Sequence, residues 1–278
     1  MSIFERIVYF LQGKMDSPVS YGWFHLLWIL LSFITIYILY KKRNNHSDKQ
    51  LKLVLGIYGV IALILEILKQ ISWSFNYDIN TGIITWDYTW YSAPFQLCTT
   101  PIYVSLICLF LKDGNVRKSL LSYLAFITIL GSIVTMIIPD SCFTSDILVN
   151  IHTMWLHCGS FVVSVYLLIS REVELNISNL FRAIRIFLIS VFIALVLNII
   201  VYNSGVLNKE EFNMFYISPY FISTLPVFST IQMHVHYIVY LITYIWILII
   251  GSFIVYVISI LISKIFSKLK GESYEKDN

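Results

Sequence analysis

The sequence predicts an all-α, polytopic membrane protein with seven transmembrane helices, its N-terminus outside and its C-terminus inside. Three observations carry that prediction. Of 278 residues, 58% are hydrophobic and 13% charged, with mean hydropathy +0.77, and no soluble core of this size hides so much apolar surface. The apolar residues gather into seven runs, near 21–40, 53–72, 94–111, 119–138, 150–170, 181–202 and 235–262. Each approaches or exceeds the roughly 20 residues that a crossing needs. Lysine and arginine then crowd into alternate connections, which sets the orientation.

Taken in order, residues 1–20 place Ile3, Phe4, Ile7, Val8, Phe10 and Leu11 at helical spacing, the pattern of a short amphipathic helix lying in the interface. Glu5, Arg6, Gln12, Lys14 and Asp16 interrupt any continuous apolar core there, so a removable signal peptide is not expected. The third run opens on Pro94, expected in the first helical turn, and carries Pro101, expected to kink it. The seventh run is overlong and should tilt or protrude. Residues 21–266 read as one membrane domain without internal repeat, and 267–278 as a disordered cytoplasmic tail.

The first connection holds Lys41, Lys42, Arg43, Lys49 and Lys52; the third Lys112, Arg117 and Lys118; the fifth Arg171, Arg182 and Arg185. The tail adds Lys264, Lys268, Lys270 and Lys276, whereas 73–93 and 139–149 contain no lysine or arginine and 203–234 only Lys209. Residues 73–93 instead carry Trp73, Tyr77, Trp86, Tyr88, Trp90 and Tyr91, an aromatic belt at headgroup level. The connection 203–234 is long enough to suggest a lid, an interfacial stretch or a re-entrant segment.

Polar residues concentrate toward the outer ends of the runs. They are His25 on the first; Glu66, Lys69 and Gln70 on one face of the second; Gln96, Cys98, Thr99 and Thr100 on the third; His157 on the fifth; Asn198 on the sixth. Each has a plain packing explanation. A single cysteine in an apolar helix is a small packing residue more often than a nucleophile, and a membrane histidine serves equally well as a helix-to-helix hydrogen-bonding group. Ionisable residues at membrane depth are costly, however, which makes Glu66 with Lys69 a functional hypothesis. The cysteines 98, 108, 142 and 158 show neither metal-ligand spacing nor a disulfide framework.

Ala93-Pro-Phe-Gln-Leu-Cys-Thr99 resembles the Leu-Pro-Leu-His/Gln-Leu-Cys signature of the YwaF-type bacterial integral membrane proteins, and Trp155-Leu-His-Cys-Gly159 is similar to the His-Gly signature of their fifth helix. Asn198 and the Asn213–Pro219 stretch are similar to Asn-Tyr and Lys-Pro positions that follow. Two positions depart from the pattern. Gln96 stands where His is often found, and Met233-His-Val-His-Tyr237 stands where the family tends to have Gly-Pro-Trp-Pro-Trp-Tyr. The resemblance implies relation to the eukaryotic transmembrane protein 164 acyltransferases, a seven-helix fold, and Cys98 as nucleophile with His157 as its base.

The expected function is therefore cysteine-dependent acyl transfer on phospholipid esters at the outer leaflet of the cell membrane. A thiol with an ordinary pKa of about 8.5 needs such a base. Gln96, Thr99, Asn198, His25, Glu66 and Lys69 are the residues expected to bind substrate, with Gln96 or Thr99 donating to an oxyanion. No cofactor, metal or nucleic acid is expected. The rivals are a transporter or scaffold, and a metal-dependent lipid hydrolase drawing on His25, His152, His157, His234, His236 and Glu66. A transporter wants midplane polar groups and a repeat. A zinc site would be better served by histidines at i, i+4, and the close spacings here are five (152, 157) and two (234, 236).

Overall fold

The computed structural model describes residues 1–43, 47–139 and 142–269. Its elements are α1 (Ile3–Leu11), α2 (Trp23–Lys41), α3 (Asp48–Ser74), β1 (Phe75–Asp78), β2 (Ile83–Trp86), α4 (Thr100–Phe110), α5 (Asn115–Phe126), α6 (Thr128–Ile137), α7 (Ile147–Ile169), α8 (Ile177–Asn203), α9 (Pro226–His234) and α10 (Tyr237–Leu269). The bundle is mostly helical, as expected. Among the described residues, six helices are long and apolar enough to cross a membrane: α2, α3, the α5–α6 unit, α7, α8 and α10. The tail expected at 267–278 is helical through Leu269; residues 270–278 lie outside the described residues.

α1 forms where the amphipathic spacing places it. Ser2 accepts from the Glu5 amide and Glu5 reaches back to the Ser2 amide, a capping box that satisfies both ends of the first turn. Val8 and Leu11 are buried while Ile3 and Phe10 stay exposed. That leaves an apolar face for the headgroup boundary.

The third apolar run behaves differently from the expectation. Its helix begins at Thr100 and is 11 residues long, about 16 Å at 1.5 Å per residue, short of the roughly 30 Å hydrocarbon core. Pro94 precedes the helix and Pro101 sits in its first turn, the reverse of the expected roles. The threonines explain the late start: Thr99 Oγ1 donates to the Gln96 carbonyl (2.9 Å) and Thr100 Oγ1 to the Leu97 carbonyl (2.8 Å). Both bonds favour a turn over a continuing ladder. The α5–α6 unit breaks at Ile127, beside the Leu124 carbonyl that accepts both Thr128 Oγ1 (2.8 Å) and Ser164 Oγ (2.6 Å).

The connection 73–93 holds a hairpin that the aromatic reading missed, with Phe75 opposite Trp86 and Asp78 opposite Ile83. Its turn is closed by Asp78, whose carboxylate accepts from the Asn80 amide (2.8 Å) and the Thr81 hydroxyl (3.0 Å), with Gly82 at φ +69°. Those two bonds hold the Asp78 carboxyl below the usual range.

α3 is the hub, packing on α4 and α7, while α5 packs on α8 and α2 on α7. The α3–α7 approach is close enough that a Cβ on Gly159 would lie 2.7 Å from Tyr58 Cδ2, so only glycine fits there. The long connection after α8 turns into the bundle: Phe212, Met214, Phe215 and Ile217 are all buried.

Candidate functional site

The C-terminal half of α3 places Glu66, Lys69 and Gln70 on one face, toward α7 and toward the 3-10 turn Trp90–Ser92. Glu66 is 2% exposed and Lys69 8%. Lys69 Nζ lies 2.8 Å from Glu66 Oε1, to which Gln70 Nε2 also donates (2.8 Å). Lys69 and Gln70 both donate to the Ser92 carbonyl, at 3.2 and 2.8 Å. The other carboxylate oxygen, Oε2, meets His152 Nε2 at 2.7 Å. A buried charge is tolerated when it is paired and its lone pairs are filled, and here each carboxylate oxygen has a partner.

Above this cluster, Lys69 lies 5.9 Å from the Trp73 ring centroid, and Trp73 stacks on Tyr91 at 5.8 Å. Both rings belong to the lining of a cleft of about 520 Å³ that opens between α1, the hairpin and Asp146. Cys98 occupies the turn before α4, a free, partly buried thiol.

The other expected residues divide by what they touch. His157, on α7, is buried, and among the described residues no hydrogen bond joins it to Cys98. Thr99 is committed to the Gln96 carbonyl. Gln96 donates to the Asn213 carbonyl (3.0 Å) and accepts from the Phe215 amide (2.8 Å). Asn198 does the same to one residue, donating to the Met214 carbonyl (3.0 Å) and accepting from the Met214 amide (2.7 Å). Both amides therefore clamp the inserted loop; the Thr99 hydroxyl proton is used on the Gln96 carbonyl, while Gln96 keeps one N–H beyond its bond to the Asn213 carbonyl. His25 accepts from the Tyr21 amide at 3.1 Å and packs on Phe143. Among the described residues no three His, Cys, Asp or Glu side chains gather as metal ligands.

The TMEM164 family model matches residues 20–256, from the approach to α2 into the middle of α10. The chain belongs to the TMEM164 family. It is a multi-pass membrane protein. Neither the curated proteins nor the solved structures compared contain a match. Within this TMEM164-family chain, the residue that sequence reasoning undervalued is His152. It stood only among possible metal ligands, because its partner Glu66 lies 86 positions away. The available signal was its position at the outer end of the fifth run, level with Glu66.

Proposed function

We propose that this TMEM164-family chain is a phospholipid acyltransferase of the cell membrane, with Cys98 as the acyl-carrying nucleophile at the outer leaflet. The observation that carries the reading is a buried Glu66 that holds an imidazole at 2.7 Å, on a cluster whose Lys69 bonds the Ser92 carbonyl a short way before the free thiol of Cys98 in the chain. A carboxylate bonded to one ring nitrogen fixes the tautomer and leaves the other nitrogen as base. Glu66 meets His152 at Nε2, and Nδ1 is the nitrogen we assign as base. We therefore assign the base role to His152 rather than His157, which is a second imidazole on the same helix.

In the first half-reaction His152 accepts the Cys98 proton and the thiolate attacks the ester carbonyl. The bond from carbonyl carbon to glycerol oxygen breaks, and that oxygen recovers the proton, giving a lysophospholipid and a Cys98 thioester. In the second, an acceptor hydroxyl attacks the thioester, its proton passes through the imidazole to the leaving sulfur, and the thiol is restored. To Lys69, an ammonium with three donors that is bonded to Glu66 and the Ser92 carbonyl, we assign the developing oxyanion.

The same reading assigns seven crossings with the N-terminus outside. It is supported by the course of α4 along α3: Gly59 meets Leu106 and Gly56 meets Leu109, while the lead-in turn reaches Ser92 beside Lys69. Turn and short helix together carry the chain from the outer end of α3 toward its start.

The test is mass spectrometry of the purified protein after incubation with phospholipid. A hydroxylamine-sensitive acyl mass is expected on the Cys98 peptide and absent in Cys98→Ala. His152→Ala should slow adduct formation by roughly 10²-fold or more, the usual share of a general base, and His157→Ala by less. Full lipid-remodelling activity in Cys98→Ala would sink the assignment.

A further inference from the structure

At the opposite end of the bundle, a second cavity of about 620 Å³ lies where α3, α5 and α8 begin and the α7–α8 connection crosses. Six basic side chains and four carboxylates line it, an excess of two positive charges. Two of the cations are occupied by Asp48: Lys52 sits 2.8 Å from it, and Arg117 pairs with it through Nη2. Arg182 is bonded to Asn179 and Asn115. Lys112, Lys118 and Arg171 line the cavity, are exposed, and have no ion pair among the described residues.

Arg117 is the unusual member. It is 6% exposed, yet Asp48 engages only Nη2, and Nε has no hydrogen-bond partner. A guanidinium buried with donors unfilled is costly, and its planar fork suits a tetrahedral oxyanion. The start of α5 adds to this. Its N-cap is Gly114, without a side chain to cap it, and the amides of Val116 and Arg117 have no acceptor among the described residues. Free amides at a helix start favour an anion. A carboxylate ligand would leave much of this donor set unused, whereas a phosphate offers three or more oxygens to it.

We propose that this cavity is a phosphate-binding site, distinct from the acyl-transfer site and on the other face of the membrane domain, with Arg117 as its buried anchor and Lys112, Lys118 and Arg171 as its rim. The phosphate is carried either by a lipid headgroup or by a soluble ion. The inference does not rest on the reading of Cys98, and its test requires no turnover.

Two arms separate the sources, each comparing the full chain with the triple variant Lys112→Gln/Lys118→Gln/Arg171→Gln, whose exposed positions leave the core intact. In the first, detergent-solubilised, delipidated protein is titrated with inorganic phosphate, read by thermal shift against chloride at equal ionic strength. In the second, native mass spectrometry counts phosphatidylglycerol retained from mixed micelles against a neutral diacylglycerol. Saturable binding in either arm, weakened roughly tenfold or more in the triple variant, is the expected result and names the source. Arg117→Lys should weaken it similarly, because an ammonium cannot reproduce the fork. No saturable binding in both arms, or binding that the triple variant leaves unchanged, overturns the proposal.

Discussion

Glu66 shows at the scale of one residue how this interior tolerates charge. Its two oxygens are divided between Lys69 and Gln70 on one side and His152 on the other. Removing one member of a buried pair leaves the other uncompensated, at a cost of about 3–5 kcal/mol. Glu66→Gln should therefore lower folded yield and thermal stability in detergent, with Lys69 left to the Ser92 carbonyl alone. Adding Lys69→Met to that variant should recover part of the stability, because no unpaired ammonium remains, while acyl transfer stays lost. A double variant as unstable as the single one would show that the two charges are energetically independent. His152 distinguishes structure from chemistry at the same residue scale. His152→Asn keeps a hydrogen bond to Glu66 without a basic nitrogen, so it should hold the fold and lose adduct formation.

Among the elements, the 3-10 turn Met214–Tyr216 is tied to the bundle by long-range bonds. Phe215 and Tyr216 both have positive φ, +58° and +60°, a strained conformation for residues with a Cβ. It persists because Gln96, Asn198 and Tyr240 bond its backbone, the last through a 2.6 Å contact to the Tyr216 carbonyl. Asn198→Ala orphans a buried amide and a buried carbonyl at about 1–3 kcal/mol each. Limited proteolysis should then cut between 203 and 225 well below the temperature at which the bundle unfolds; unchanged resistance would mean that the remaining clamps suffice. These bonds also explain what could and could not be read in advance. The apolar runs and the alternating lysines and arginines are local patterns, so the membrane helices were legible. The amides of Gln96 and Asn198 looked like substrate groups because the peptide units they bind, Asn213 to Phe215, are distant in sequence. The Pro94/Pro101 reversal had a similar origin: either proline satisfies the first-turn rule, and the threonine hydroxyls chose between them. His152 depended wholly on a partner from another helix.

For the molecule as a whole, the question with consequences for substrate supply is which leaflet the Glu66 cluster faces. Lys52, Lys112, Arg117, Lys118, Arg171 and Arg182 meet around one cavity, and the aromatic connections meet at the other end, where the Trp90 amide donates to Glu210 and Lys14 pairs with Asp146. Positive residues are retained on the cytoplasmic side, so the Cys98 end should be external. A reporter inserted at Thr81, in the exposed hairpin turn, should be active only outside, and one fused after Asn278 only in the cytoplasm. The pair also tests α4. If turn and helix carry the chain across, Thr81 and the C-terminus are separated by five crossings and lie on opposite sides. If α4 returns to its own side, four crossings remain and both reporters give the same location. An inverted pair would keep the seven-crossing fold and move Cys98 to the inner leaflet, where the acyl donors would have to be cytoplasmic-face phospholipids.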